Sequence, residues 1–248
     1  MNQSQPVIYG VNPILESLRS GQSLNKIYLL QNRRGKEIGE IRSRARGRHT
    51  TLLTVDRAEL DRMARTTKHQ GVVAVLSSEP YASLDDILRI AKSSKVSPFL
   101  IILDEVEDPR NLGAIIRTAD AVGVHGVIIP ERRAVGLTAV VSKVSAGALS
   151  HLPVARVVNL STAVDRLKKE GLWVVGVDSG APMRYDQYDF NGPIGVVVGS
   201  EGKGIRRKIL DRCDQVISIP MRGHVSSLNV SVALGVVAYE VLRQRHKE

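Results

Sequence analysis

Cysteine is nearly absent from this sequence: Cys213 is the only one in 248 residues. That excludes an intrachain disulfide framework and any multi-cysteine zinc site, and it suits a reducing cytoplasm. Aromatic residues make up only 4%, with two Phe and one Trp, too few for the stacking platforms of single-strand-binding proteins. No apolar run approaches the length of a membrane span, and the opening MNQSQPVIYG lacks a signal-peptide pattern, so neither membrane insertion nor export is expected. The histidines His49, His69, His125, His151, His224 and His246 show no metal-ligand spacing, and no metal is expected. Acid is scarce too. Twenty-five acidic residues face 35 basic ones, a formal charge of +10, which favours a polyanionic partner, either nucleic acid or an anionic membrane surface.

The positive charge is concentrated. The stretch NRRGKEIGEIRSRARGRH, from Asn32 to His49, carries Arg33, Arg34, Lys36, Arg42, Arg44, Arg46 and Arg48 against only Glu37 and Glu40. A lone charge run is usually a solvated helix face. Here arginine dominates over lysine, and its planar donor fork suits phosphate. Together with the whole-chain charge, this places RNA contact ahead of the solvated face.

The chain divides into two parts. Asn12–Pro13 reads as a helix start and Gly21 as its stop. KIYLL, TTLLTV and GVVAVL read as strands, with helices from about Gly35 and Arg57 between them, a small α/β unit over residues 1–77. Residues 78–97, rich in Ser, Pro and Lys, read as a linker with one short helix after Ser83. Over 98–248 the pattern alternates. FLIIL, GVIIP, LPVARV, LWVVGV, IGVVVG and VISIP are β-branched runs typical of buried parallel strands. Helical segments near Leu112–Val122, Thr138–Gly147, Ser161–Lys169 and Ile205–Arg212 lie between most of them, which predicts a doubly wound α/β domain.

Such a domain suggests a nucleotide-like ligand, yet the dinucleotide fingerprint G-x-G-x-x-G is missing after the first strand and no P-loop occurs. A nicotinamide oxidoreductase and an NTPase are both disfavoured. Three stretches instead fall at the carboxyl ends of predicted strands, where open α/β sheets bind ligands: NLGAIIRTAD (Asn111–Asp120), VVVGSEGKGI (Val196–Ile205) and ISIPMRGHVSSLNVSVA (Ile217–Ala233). Singly, each has a structural explanation as a helix cap or tight turn. The last poses a sharper question, because Ser226, Ser227 and Asn229 open a helix that is apolar nearly all round from Val230 to Leu242.

Read as N-x-G-x-x-x-R, V-x-G-x-E-G-x-G and I-P-M-x-G-x-x-x-S-L-N-V-S-x-A, these stretches closely resemble the three motifs of the SpoU (TrmH-like) RNA ribose 2′-O-methyltransferases of the SPOUT superfamily. YGVNPILESL and HQGVVAVL resemble the small substrate-binding domain of the RlmB-like branch, so the likeness spans nearly the whole chain. The resemblance implies a mostly parallel catalytic sheet with a deep C-terminal trefoil knot, a homodimer completed through the last helix, and S-adenosylmethionine as methyl donor. It places Gly199, Ile219 and Leu228 against the cofactor, and Arg117 at the centre of catalysis with Asn111, Glu201, Ser227 and Asn229 around it. Arg33, Arg34, Arg42, Arg44 and Arg46 are the expected RNA contacts.

The implied reaction is 2′-O-methylation of a ribose, that of a guanosine in 23S rRNA, free or in an assembling large subunit. It needs alignment and loss of the hydroxyl proton, but no metal and no covalent nucleophile. Arg117 is awkward as a base because guanidinium stays protonated, so electrostatic stabilisation of the alkoxide is the alternative role. Cys213 has no motif around it and reads as structural. Two other readings stand beside this one: a tRNA ribose methylase of the same superfamily, whose members usually lack the N-terminal domain, and a non-catalytic RNA-binding protein, disfavoured because every motif residue is present.

Overall fold

The computed structural model describes residues 6–48, 50–200 and 202–246. They form two compact units: one running to Pro80 and including Gly136–Ala139, the other comprising Tyr81–Val135 and the chain from Val140 on.

The first unit contains β1 (Val7–Tyr9), α1 (Val11–Ser20), β2 (Leu24–Leu30), α2 (Lys36–Gly47), β3 (Thr51–Val55), α3 (Arg57–Ala64) and β4 (Val72–Leu76). Its sheet has the order β1-β4-β2-β3, with β2 and β3 parallel and the other pairs antiparallel. Strand β1 is not foreshadowed by the sequence, since three residues carry too little alternation to register. Ile14 and Leu18 of α1 pack with Ile38 and Ile41 of α2 over Ile27, Leu29 and Val72 of the sheet. Leu60 and Ala64 of α3 pack in a separate cluster around Val73.

The start of α1 corrects the expectation at Asn12. The N-cap is Gly10 (φ 91°), and the amide of Val11 donates to Gln70 Oε1 at 2.9 Å, a cap supplied from 59 residues away. Gly21 ends the helix in the left-handed region (φ 91°). Gln70 lies within HQG, whose histidine is also structural: buried His69 bonds Asp61 through Nε2 at 2.8 Å and accepts the Gly71 amide at Nδ1.

The second unit contains α4 (Leu84–Ser93), β5 (Phe99–Asp104), α5 (Pro109–Ala121), β6 (Gly126–Pro130), α6 (Ala139–Val144), β7 (Val154–Val157), α7 (Leu160–Lys169), β8 (Trp173–Val177), β9 (Met183–Arg184), β10 (Ile194–Gly199), α8 (Arg207–Leu210), β11 (Gln215–Ser218) and α9 (Val230–Arg245). The sheet order is β7-β6-β5-β10-β8-β11-β9, and every pairing is parallel. All six apolar runs are strands of this sheet, as the continuous β-branched pattern implies. The helix expected over Thr138–Gly147 is shorter, ending at Val144, with Ala146 (φ 51°) and Gly147 (φ 93°) both left-handed before a 3-10 turn.

Residues 78–97 are not merely a linker. Helix α4 opens with a capping box between Ser83 and Asp86 and buries Ile87, Leu88 and Ala91 in the core of the second unit. The Ser, Pro and Lys residues flanking α4 and its exposed Asp85, Arg89 and Lys92 hide that apolar stripe from a reading by composition. From β5 the chain adds β6 and β7 on one side, then crosses to place β10 and β8 on the other. The strand order therefore reverses beside β5, and the carboxyl ends of β5 and β10 are where such a sheet opens a crevice.

Candidate active site

Two adjoining clefts occupy that crevice. The first, of about 280 Å³, is lined by the loops following β8, β10 and β11, close to the roughly 300 Å³ at which small-molecule sites begin. Its walls combine apolar Val198, Ile219, Leu228 and Ala233 with polar Asp178, Ser179, Ser226 and Ser227. The second, of about 250 Å³, lies against the turn between β5 and α5 and is bordered by Glu105, Glu107, Asp108 and Asn111. Ser200, Lys203 and Val230 line both.

The glycine-rich turn between them is shaped by its own backbone. Ser200 and Gly204 exchange both amide–carbonyl hydrogen bonds, at 3.1 and 2.9 Å, and Gly202 and Gly204 adopt φ values of 82° and 65°. The turn folds back so closely on β10 that a Cβ on Gly199 would sit 2.1 Å from the carbonyl carbon and oxygen of Gly204. Only glycine fits there.

What anchors the turn is an ion pair that the motifs do not reveal. Asp104, fully buried at the end of β5, accepts the Arg206 amide at 2.8 Å and its Nε at 2.8 Å. Those bonds raise the Arg206 pKa further, so the guanidinium holds its charge. Arg206 also reaches Glu105 at 3.3 Å, and Arg133 pairs with Glu105 at 3.2 Å. Glu105 is left-handed (φ 60°), a conformation held by two arginines. An aspartate ending an apolar strand is the available signal for Asp104. Asp178 follows the β8 run in the same way and is equally inconspicuous in the sequence, as is Lys203 among the variable positions of the second motif.

The first and third motifs meet directly. Asn229 Nδ2 donates to Asn111 Oδ1 at 3.0 Å. Asn229 Oδ1 in turn accepts the amides of Ser231 and Val232 at 2.9 and 3.4 Å, capping α9. The polar start of the apolar helix is thus both a cap and a tie to α5. Ser227 is exposed at the rim of the first cleft, two residues before that tie. In the first motif, Gly113 matters for packing: a Cβ there would lie 2.6 Å from Val144 Cβ, so the glycine lets α5 press against α6.

Gly199, Ile219, Leu228 and Ser227 therefore share the first cleft, while Asn111 borders the second and is held there by Asn229. Arg117 is elsewhere. It is exposed and borders neither cleft, because six residues along a helix rotate it roughly 120° away from the face of Asn111. Glu201 lies outside the described residues. Cys213 is half-buried against Gly176, and burial pushes its thiol pKa up to about 12, which leaves no thiolate for catalysis. No helix among the described residues is long and apolar enough to cross a membrane.

Paired clefts at the carboxyl ends of a parallel sheet define a ligand-binding α/β protein, and comparison with known proteins identifies its class. Residues 98–239 match the SpoU rRNA Methylase family, and residues 7–82 match the domain described as RNA 2'-O ribose methyltransferase substrate binding. The chain belongs to the SpoU family and is an RNA 2′-O-ribose methyltransferase of the TrmH/SpoU type. It is 46% identical over 246 residues to YacO of Bacillus subtilis (strain 168), named as a TrmH family tRNA/rRNA methyltransferase, covering 99% of this chain and 98% of that one. The crystal structure of the SpoU methyltransferase AviRb from Streptomyces viridochromogenes, in complex with AdoMet, superposes with a TM-score of 0.63 at 27% identity, over 99% of this chain and 92% of that one. The TrmH/SpoU tRNA modifying enzyme of A. aeolicus gives 0.55 at 29% identity, over 66% of this chain and 81% of its own.

Proposed function

We propose that the chain methylates the ribose 2′-oxygen of a guanosine in 23S rRNA, in the cytoplasm, with S-adenosylmethionine as donor. The observation that carries this reading is the pair of clefts with a common wall at Ser200, Lys203 and Val230, one suited to a cofactor and the other to the nucleoside it modifies. Gly199, Ile219 and Leu228 would hold S-adenosylmethionine through backbone groups and an apolar slot for its adenine. The cofactor supplies an electrophilic methyl group at that wall. The chain's own task is to align the 2′-oxygen with the methyl carbon and to stabilise the oxygen as its proton passes to water.

Asn111 and Asn229, locked to each other at 3.0 Å, fix the substrate side of the wall, and Ser227 faces the reacting groups from the cofactor side. Arg117 acts as a fixed positive charge on the developing alkoxide, since guanidinium stays protonated. Because Arg117 borders neither cleft of its own chain, the site is completed in a homodimer. The exposed apolar face of α9, with Val232 51% and Tyr239 55% exposed, supports that assembly. The role of Glu201 rests on its motif alone.

The first unit binds the RNA, with Arg33, Arg34, Arg42, Arg44 and Arg46 on phosphates. Support for rRNA over tRNA comes from coverage: the A. aeolicus tRNA enzyme aligns with only 66% of this chain, whereas the substrate-binding domain occupies residues 7–82.

The test is methylation of an unmodified 23S rRNA transcript, followed by nucleoside analysis. The wild-type protein should produce 2′-O-methylguanosine. Arg117→Ala should lower turnover by about 10²–10³-fold, the usual loss when a charge-stabilising donor is removed, with unchanged affinity for S-adenosylmethionine. Near-normal turnover in that variant would remove Arg117 from the mechanism.

A further inference from the structure

We propose that the second cleft holds the target base and that Glu107 selects guanine there, an inference resting on the methyl-transfer function proposed above. The cleft is large enough for a base and shares its wall with the cofactor cleft. Within one nucleoside the 2′-oxygen is a single sugar ring from the base, so a base seated beside Asn111 leaves that oxygen at the shared wall.

The lining says which kind of group enters. In a chain of net charge +10, this cleft sets Glu105, Glu107 and Asp108 against a single lysine, Lys203, an acidic balance that disfavours a phosphate. The three carboxylates are not equivalent. Glu105 is engaged by Arg133 and Arg206. Asp108 caps α5 by accepting the Arg110 amide at 2.6 Å and that of Asn111 at 3.3 Å. Glu107 is exposed and has no ion pair or side-chain hydrogen bond among the described residues, so its two oxygens are available to a ligand.

A carboxylate only accepts hydrogen bonds, and it does so best from two adjacent donors. On the Watson–Crick edge, guanine alone offers such a pair, N1–H beside the N2 amino group. Adenine and cytosine set an acceptor next to their amino group, and uracil flanks N3–H with two carbonyls. Each of these would face Glu107 with a lone pair. A polar site of this kind rejects analogues lacking the matching donor more strongly than an apolar pocket does.

Once the methylated nucleotide is mapped, transcripts carrying guanosine, inosine or adenosine at that one position provide the test on the full-length protein. Inosine lacks the N2 amino group, so the wild-type kcat/KM should fall about ten- to a hundredfold, the range for one good base-reading pair. Glu107→Ala should lose activity on guanosine by a similar factor, and its guanosine-to-inosine ratio should fall close to one. Its affinity for S-adenosylmethionine, measured by calorimetry, should equal that of the wild type, which also shows that the variant is folded. A Glu107→Ala enzyme that keeps the wild-type ratio, or a wild-type enzyme that modifies adenosine equally well, would overturn the assignment. Absence of any 2′-O-methylated nucleoside with the wild-type protein would instead overturn the methyl-transfer reading, and this one with it.

Discussion

Gly199 shows how one residue can fix both a turn and the wall of a cleft. Its missing side chain lets Gly204 and Ile205 approach to 2.1 and 2.3 Å from where a Cβ would stand. The obstructing atoms are backbone, so no rotamer change relieves the clash. Gly199→Ala should therefore open the turn, costing about 1–3 kcal/mol in stability as overpacking does, and weaken S-adenosylmethionine binding at least roughly tenfold, the equivalent of 1.4 kcal/mol. Thermal unfolding and calorimetry measure the two effects. A variant with wild-type cofactor affinity would show that the turn is not part of the cofactor wall. At this scale the sequence is informative wherever a motif pins a residue, and silent where partners come from far along the chain. Gly199 and Asn229 are visible in their patterns. The Asp104–Arg206 pair, 102 residues apart, and the Gln70 cap on α1 are not, because periodicity and propensity describe only neighbours in sequence.

Among the elements, α9 is where the expectation and the structure differ most usefully. A helix apolar on all sides predicts burial, and Leu234, Val237, Ala238 and Val241 are indeed buried within the chain. Both ends are fastened. Asn229 ties the start to Asn111, and at the far end Arg245 donates to the carbonyls of Phe190, Ser97, Pro98 and Gly192. Burial lowers the Arg245 pKa, though those four acceptors offset much of the cost of enclosing it. Yet Val232 and Tyr239 remain about half exposed, so the helix is held firmly while it presents an uncovered apolar strip. The proposed homodimer uses that strip. Sedimentation at micromolar concentration should show a dimer, and the double variant Val232→Glu, Tyr239→Glu should be monomeric and severely impaired in methyl transfer. A fully active monomer would refute it. The apolar pattern is legible in the sequence; which part of it faces outward depends on how α5 and α9 pack, and only the tertiary structure decides that.

For the molecule as a whole, the question is how its excess charge is deployed. Parallel β-branched runs make the large α/β domain evident, and the reversal of strand order beside β5 locates the clefts, but charge placement needs side-chain partners to interpret. In α2, Glu40 takes up part of the positive charge, pairing with Arg44 at 2.7 Å and with Arg19 at 3.0 Å. The Glu40 carboxylate pKa is lowered by those hydrogen bonds, Arg44 first, while the pairs lie at the surface, where such interactions contribute little to stability. Arg44 is thus partly neutralised locally. Arg42 and Arg46 stand one helical turn apart on the same side of α2, without an ion-pair partner among the described residues. If the first unit reads phosphates, these two carry more of the RNA affinity than Arg44 does. Arg42→Glu with Arg46→Glu should weaken rRNA binding and flatten the slope of log affinity against log salt by about one unit for each phosphate the helix no longer neutralises. Arg44→Glu alone should have the smaller effect. S-adenosylmethionine affinity should be unchanged in all of them, since no cleft residue is altered. Unchanged RNA affinity and salt slope in the double variant would mean that this helix face is merely solvated, and that the polyanion is met by another part of the chain.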